Sequence, residues 1–305
     1  MMLKKIRKYG FKRSLFVVLN RSMSGFIILL KKIINLKYRN NIVLIKSSIT
    51  PLSHNWGDDV STVLAQLLSP NKRIIPSIYY CNFKKKEEYL CIGSIISWMT
   101  TPNSIIWGSG VVYPEKKISS KPLKVLAVRG PLTRKYLLDQ DIPCPEVYGD
   151  PALLFPRFYK PIVKKKFKVG LIPHMRDFRN GLYKEISARI ENISIIDVRD
   201  VENWHSFIDK INECEFILSS SLHGIIISDA YNIPNCWIEF EKGEKKRYAF
   251  YDYYYSIGKN DVSPYIITED VNYWDILKHK DSWVKPILDL DKLINSCPFY
   301  ESSTF

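Results

Sequence analysis

Short apolar runs that each lead through a polar turn into a helical pattern occur in two series along the chain. NIVLIKSS (41–48) and KVLAVRG (124–130) belong to the first series, and KVGLIPH (168–174) and EFILSS (215–220) to the second. Strands that alternate with helices form parallel sheets, and such sheets bind ligands at the carboxyl ends of their strands. We therefore predict an α/β protein with two Rossmann-like parallel-sheet domains.

The two series are separated by a stretch rich in Pro and Lys, PRFYKPIVKKKFK (156–168). Such a composition is typical of an exposed linker, and 305 residues suffice for two domains. We predict four segments: an N-terminal arm over 1–40, a first Rossmann-like domain over 41–160, a second over 161–262 and a helical tail over 263–305.

Charge is concentrated at the N-terminus. The net charge is +14, yet residues 1–57 hold 12 Lys or Arg and no Asp or Glu, so the rest of the chain is nearly neutral. The apolar stretches of the arm, SLFVVL (14–19) and GFIILLKKIINL (25–36), fall short of the ~20 residues that a membrane-spanning helix needs. No signal-peptide cleavage site is evident.

Three interpretations of the arm remain open: an amphipathic helix on an anionic membrane, a segment that contacts nucleic-acid phosphates, or a helix packed on its own domain. We favour the membrane, and we expect no nucleic-acid partner because no helix-turn-helix, zinc or RNA-binding signature accompanies the charge. This interpretation predicts a cytoplasmic protein on the inner face of the membrane.

Cofactor motifs are missing from the sequence. The six cysteines form no CxxC pair and no zinc spacing, which favours free thiols in a reducing compartment. Gly-Ser-Gly at 108–110 is shorter than a dinucleotide fingerprint, and the adjacent Asp58 and Asp59 are a weak metal signal without further oxygen ligands. We predict neither a redox cofactor nor a metal.

The sharpest motif is SSSLHG (219–224), where a strand ends and a helix begins. Ser220 or Ser221 would be the N-cap, and the leading N–H groups of the helix suit a phosphate or carboxylate. His223 in the first turn could transfer protons or could only bond a neighbouring carbonyl. Gly224 would let a ligand or another backbone segment come close.

Four further polar residues follow strands. Arg129 could hold a carboxylate or phosphate in two bonds, or form a surface ion pair. Asp150 could bond a sugar hydroxyl, although capping a turn is the favoured interpretation. His174 and Arg176 follow the first strand of the second predicted domain. We expect both to face a cleft between the two domains.

Over about residues 41–260 the chain resembles the polysaccharide pyruvyltransferase family. The resemblance rests on motifs in a fixed order: NWGDD (55–59), IGS (92–94), IWGSGV (106–111), AVRGPLTRKYLL (127–138), YGDPALLFP (148–156), GLIPH (170–174), SLHGIIISDAYNIP (221–234) and YDYYYSIG (251–258).

The resemblance implies a fold similar to GT-B glycosyltransferases, with a cleft between the two domains. It also implies that phosphoenolpyruvate, as co-substrate, gives its carboxyethylidene group to two hydroxyls of a sugar on a bacterial surface glycan or its lipid-linked precursor. The family histidine falls on His223, as general acid–base, and the family arginine on Arg129, as donor ligand. Many relatives have Arg directly before the Leu-His pair, where this chain has Ser221.

The candidate site therefore has two sides. On the donor side we place Arg129, His174, Arg176, Ser220, Ser221, Leu222 and Gly224. On the acceptor side we place Asn55, Gly57, Asp58, Asp59, Ser109 and Asp150. The alternatives are a nucleotide-sugar glycosyltransferase, with Glu239 on the ribose, and a scaffold in a membrane-bound assembly complex. The sequence predicts neither the sugar nor the oligomeric state.

Overall fold

A computed structural model describes residues 11–38, 40–49, 51, 54–179, 181–199, 203–240 and 246–301, with side chains from residue 20 onward. Its first five strands form one parallel sheet in the order β2-β1-β3-β4-β5. These strands are β1 Ile42–Lys46, β2 Arg73–Pro76, β3 Glu88–Leu90, β4 Ser104–Trp107 and β5 Lys124–Ala127. Their buried centres explain the apolar runs, because both faces of a parallel sheet are covered by other elements.

The second sheet is also parallel and has the order β10-β9-β8-β6-β7. Its strands are β6 Phe167–Ile172, β7 Ile193–Ile195, β8 Cys214–Ser219, β9 Asn235–Glu239 and β10 Tyr265–Ile266. The prediction of two parallel sheets is confirmed. β10 differs from the prediction, because it lies in the segment predicted as a helical tail.

The two sheets share one topology. Counted along the chain within each sheet, the strands lie in the order second, first, third, fourth, fifth. In this order the direction of winding reverses between the first and third strands, and ligands bind in the crevice there. These crevices lie at the carboxyl ends of β1 and β3 in the first sheet and of β6 and β8 in the second.

Helices connect and cover the strands. They are α1 Phe11–Asn35, α2 Trp56–Leu68, α3 Ile96–Met99, α4 Pro131–Leu138, α5 Leu182–Arg189, α6 Ser206–Asn212, α7 Leu222–Ala230, α8 Arg247–Ser256, α9 Tyr273–Asp281 and α10 Leu290–Asn295. Short 3-10 helices occur at Ser77–Tyr79, Pro151–Arg157 and Asp177–Arg179. Within the described residues no helix is both long and apolar enough to span a bilayer.

The Pro- and Lys-rich segment 156–168 connects the sheets and ends in β6. The chain then crosses back to the first half near its C-terminus. The Trp107 indole N–H donates to the Leu293 carbonyl of α10 at 3.0 Å, and the Glu301 N–H donates to the Leu68 carbonyl at 3.1 Å. The predicted tail is therefore divided, with β10 in the second sheet and α10 packed on the first half.

Candidate active site

A pocket of about 380 Å³ lies where the two crevices face each other. Loops that follow β1, β3, β6, β8 and β9 all contribute to its wall. Its polar lining consists of Ser48, Asn55, Asp58, Ser94, Tyr113, His174, Arg176, Ser220, Ser221, His223 and Lys246. The volume suits a small molecule, since ligand pockets begin at about 300 Å³.

His223 lies in the first turn of α7, as the sequence predicts, and lines this pocket. Its ring packs on Gly57 of α2, where a Cβ would stand 1.9 Å from Nδ1. Helix α2 is brought this close because the Trp56 N–H donates to the Val198 carbonyl at 2.9 Å. His223 Nε2 is buried and has no hydrogen-bond partner in the described structure. An unpaired buried ring nitrogen is costly and is available to a ligand.

The His223 imidazole is held in its neutral form. Burial, together with the positive charges of Arg129 and Lys246, lowers the pKa of His223 to about 3. A neutral imidazole accepts a proton before it can donate one. His223 is therefore in the protonation state that a general base requires.

His174 lies beside Lys246 in the pocket wall. The distance from His174 Nε2 to the Lys246 ammonium nitrogen is 2.8 Å. Burial, followed by the charges of Lys246 and Arg176, lowers the pKa of His174 to about 3. The neutral His174 ring can accept a hydrogen bond from Lys246, and the positive charges of Lys246 and Arg176 favour an anionic ligand in the pocket.

Ser220 fixes this corner of the pocket. Its hydroxyl donates to Asp177 Oδ2 at 2.5 Å and accepts the His174 N–H at 2.9 Å. Burial raises the pKa of Asp177, although the hydrogen bonds that it accepts from Ser220 and from the His174 N–H oppose the shift. The loop that carries His174 is thereby tied to the start of α7.

Ser221 occupies the N-cap position of α7, but its side chain makes no capping hydrogen bond. The Ser219 hydroxyl supports the turn instead, donating to the Ser221 carbonyl at 2.8 Å. Ser221 and Leu222 line the pocket. Gly224 does not line the pocket, and a Cβ there would stand 2.3 Å from Ser219 Oγ, so of the two predicted roles the glycine fills that of close packing within the protein.

The first half contributes Asn55 and Asp58. The Asn55 side chain accepts the Gly57 N–H at 3.2 Å and so caps α2. The Ser48 hydroxyl donates to the Asp58 carboxylate, and burial raises the pKa of Asp58. Both residues line the pocket, as the placement on the acceptor side requires.

Four residues predicted for the acceptor side do not line the pocket, and one of them, Gly57, lies against the His223 ring. Asp59 turns to the other side of α2, where its Oδ2 lies 3.1 Å from His54 Nδ1. The Ser109 hydroxyl is buried and donates to the Gly93 carbonyl at 2.7 Å. Asp150 is fully buried and accepts the Ala152 N–H at 3.0 Å, so the favoured interpretation as a turn cap is the one the geometry shows.

Arg129 is fully buried and lies behind the pocket wall. Its Nε donates to Asp252 Oδ2 at 3.1 Å, its Nη1 to Ser94 Oγ at 2.5 Å and its Nη2 to the Val111 carbonyl at 2.9 Å. Neither predicted arrangement, a ligand clamp or a surface ion pair, describes this geometry. Arg129 supplies charge to the pocket, while Ser94 lies at the pocket surface.

Several pocket residues were missed by the sequence reasoning. Lys246 follows β9 directly before the helix of the YDYYYSIG motif, so the basic run KKR at 245–247 was an available signal. Ser94 ends the quoted IGS turn. Trp98 and Tyr113 line the pocket, and the Trp98 side chain is 54% exposed, but no local pattern distinguishes them from other surface aromatics.

Other chemistries find less support among the described residues. No group of three or more His, Cys, Asp or Glu side chains there could hold a metal ion. Glu239, considered for a ribose, is 1% exposed and accepts two hydrogen bonds from Arg247 at 2.8 and 2.6 Å. All six cysteines are free thiols.

The chain thus has an α/β fold with two five-stranded parallel sheets, and residues that follow strands of both sheets line one pocket. The sequence pattern of one family, polysaccharide pyruvyl transferase, matches residues 66–241, more than half of the chain. The chain belongs to the polysaccharide pyruvyl transferase family.

Similar proteins include the succinoglycan biosynthesis protein ExoV of Rhizobium meliloti, which is 28% identical over 59% of this chain and 54% of its own length. An uncharacterized protein of Acanthamoeba polyphaga mimivirus is 27% identical over 65% of this chain and 69% of its own length. A crystal structure of an uncharacterized Klebsiella pneumoniae protein aligns with a TM-score of 0.40 and 15% identity, covering 79% of this chain and 98% of that one.

Proposed function

We propose that this chain transfers the carboxyethylidene group of phosphoenolpyruvate to two hydroxyls of one sugar, in a surface polysaccharide or its lipid-linked precursor, and releases phosphate. One observation carries the proposal: His223, with an unpaired buried Nε2, shares a pocket with Lys246, His174 and Arg176. Family membership and similarity to a succinoglycan biosynthesis protein support a polysaccharide acceptor. A GT-B-like relation between the two halves belongs to the same proposal.

The donor carries a carboxylate and a phosphate, and both need cationic or N–H contacts. Lys246 and Arg176 supply the cationic side chains in this proposal, and the first turn of α7 supplies N–H groups. Lys246 also offers a substitute for the arginine that relatives carry at the position of Ser221. No cofactor takes part.

The acceptor sugar is assigned to the first-half wall. Trp98 and Tyr113 offer aromatic surfaces for the apolar face of a sugar ring, and Asn55 and Asp58 offer polar contacts to its hydroxyls. The two hydroxyls then face His223 from the side opposite the cations.

Two protons must leave the sugar. His223 starts neutral, takes the proton of the first hydroxyl as that oxygen attacks C2 of the donor, and then carries a charge that the bound anions stabilise. The charged His223 passes this proton to C3 as the new C2–O bond forms, which makes the methyl group and returns His223 to its neutral form. The C2–O bond to phosphate then breaks, the second hydroxyl attacks C2, and its proton leaves with the phosphate.

The test supplies the purified chain with phosphoenolpyruvate and a panel of sugar acceptors, and follows phosphate release and ketal formation by NMR. Nucleotide sugars are supplied in parallel to test the glycosyltransferase alternative. The proposal predicts phosphate release that requires an acceptor. Replacement of His223 by Ala or Gln should lower the rate roughly 100- to 10,000-fold, as loss of an acid–base group does, with an unchanged thermal melt. Nucleotide release without ketal formation would overturn the proposal.

A further inference from the structure

Helix α1 is anchored to the first half through one of its faces. Ile28 packs against the buried cluster that contains Leu44, Ile75 and Tyr79. The Asn35 amide donates to the Tyr79 carbonyl at 3.0 Å, and the Lys31 ammonium lies 4.1 Å from the Tyr79 ring centroid. The orientation of the helix on the body is therefore fixed.

The opposite face of α1 is apolar and points to solvent. Phe26 is 60% exposed and Ile33 is 55% exposed, although both are among the largest apolar side chains of the helix. Their neighbours on this face are Met23, Leu29, Leu30 and Ile34, all classed as exposed. Spacings of three, four and seven residues place these side chains on one surface. A contiguous exposed apolar surface of this kind marks an interaction site.

The charge of the arm indicates what covers this surface. Residues 1–40 contain 11 Lys or Arg and no acidic residue. A second copy of the chain would bring like charges together. Nucleic acid would leave the apolar side chains in water. An anionic bilayer matches both properties, because its headgroups attract the basic residues and its acyl boundary accepts the apolar face.

We propose that α1 lies in the surface of an anionic lipid bilayer, with Phe26, Leu30 and Ile33 among the inserted side chains. This helix is at the same end of the first sheet as the pocket. Lys31 shares a cavity with Trp56 and Asp59 in the first turn of α2, and the neighbouring Asp58 lines the pocket. The bilayer contact thus holds the pocket close to the membrane surface, where a lipid-linked sugar resides. The statement about the lipid-linked sugar rests on the proposed function, whereas the proposed contact of α1 with the bilayer does not.

The test uses the full chain and sedimentation with vesicles of phosphatidylserine and phosphatidylcholine at low salt. The triple variant Phe26→Ser/Leu30→Ser/Ile33→Ser should lower the partition coefficient at least tenfold. The matched control replaces three exposed apolar residues elsewhere, Ile162→Ser/Trp274→Ser/Ile287→Ser, and should bind as the wild type does. Arg21→Gln should lower binding about fivefold on anionic vesicles and leave pure phosphatidylcholine unaffected. Point variants are preferred to deletion because Ile28 packs into the first half.

Equal binding by wild type and triple variant would overturn the proposal, and so would the absence of vesicle binding by the wild type. A dimer that the triple substitution dissociates, without vesicle binding, would assign the face to a second copy. Retention on duplex DNA that the triple substitution leaves unchanged, without vesicle binding, would assign the arm to nucleic acid. Sedimentation requires no turnover, so a chain that binds vesicles but does not use phosphoenolpyruvate would contradict only the proposed reaction.

Discussion

The His223 imidazole lies against the α-carbon of Gly57, so closely that a Cβ there would stand 1.9 Å from Nδ1. The contact joins the NWGDD motif of the first half to the SLHG motif of the second. A glycine is thus needed at position 57 because the His223 ring occupies the space of a side chain, and not because the local backbone conformation demands it.

Gly57→Ala should therefore move His223 and abolish most of the activity. The expected loss is on the order of 100-fold or more, comparable with loss of the acid–base group, while overpacking lowers the free energy of unfolding by about 1–3 kcal/mol. Initial rates and thermal melts measure the two effects. Gly25→Ala is the control, because a Cβ at that position meets no atom within 4 Å. Wild-type turnover by Gly57→Ala would show that the ring is not needed in this place.

Lys246→Met should raise the Michaelis constant for phosphoenolpyruvate and leave that for the sugar unchanged. The physical reason is loss of a positive charge that lies 2.8 Å from His174 Nε2 in the pocket. Lys246→Arg should restore part of the donor affinity. Lys184→Met, a substitution of an exposed lysine on α5, is the control. If only the Michaelis constant for the sugar changed, Lys246 would be assigned to the acceptor side of the pocket.

Arg129→Met should destabilise the fold. The ion pair of Arg129 with Asp252 is fully buried, and removal of one member of such a pair costs about 3–5 kcal/mol in the free energy of unfolding. Arg157→Met breaks the solvent-exposed pair with Asp291 and should cost less than about 1 kcal/mol. Denaturant titration compares the two variants, and equal losses would contradict this account. At temperatures where Arg129→Met stays folded, the prediction remains that the donor constant rises more than the acceptor constant.

Asp150 makes a pH-dependent contribution to stability. Burial raises its pKa from 3.8 to about 6, opposed by the Ala152 N–H and by Arg129. Between these values the folded protein holds a proton that the unfolded chain has lost. This contribution to stability is therefore present at low pH and is lost as the pH rises through about 6.

Asp150→Asn should keep the turn cap, because its amide oxygen can still accept the Ala152 N–H. The difference in free energy of unfolding between Asp150→Asn and wild type should grow in favour of the variant from pH 4 to pH 7, as followed by denaturant titration. Asp150→Ala, which removes the cap, should lose about 1 kcal/mol. A difference that does not change with pH would mean that Asp150 is charged throughout.

The sequence was sufficient for the four named strands, β1, β5, β6 and β8, because buried parallel strands are short apolar runs with polar ends. It was also sufficient for the place of His223, since a strand, a serine turn and a helix occur together. β10 was missed because Tyr265–Ile266 is a two-residue strand without a pattern of its own.

Side-chain direction is where the sequence reasoning failed. Ser109 follows a strand, as Asn55 does, but it turns into the protein and donates to a backbone carbonyl there, whereas Asp150 caps the turn that its residue type favoured. Lys246 reaches His174 from a distant part of the chain, and such a contact depends on the packing of whole elements. The residue at which a strand ends can be predicted from the local sequence. Whether the side chain there points into the pocket or into the protein interior cannot.

The return of the chain to the first half constrains the order of events during synthesis. Trp107 in β4 has its indole hydrogen bond to Leu293 of α10, and the end of α2 receives a bond from Glu301. A ribosome delivers these last segments only after the entire second sheet. Domains usually fold in order as they emerge, but here the earlier half must wait for the later one. Until then, the cluster that contains Trp107 lacks Leu293, Ile294 and Phe299.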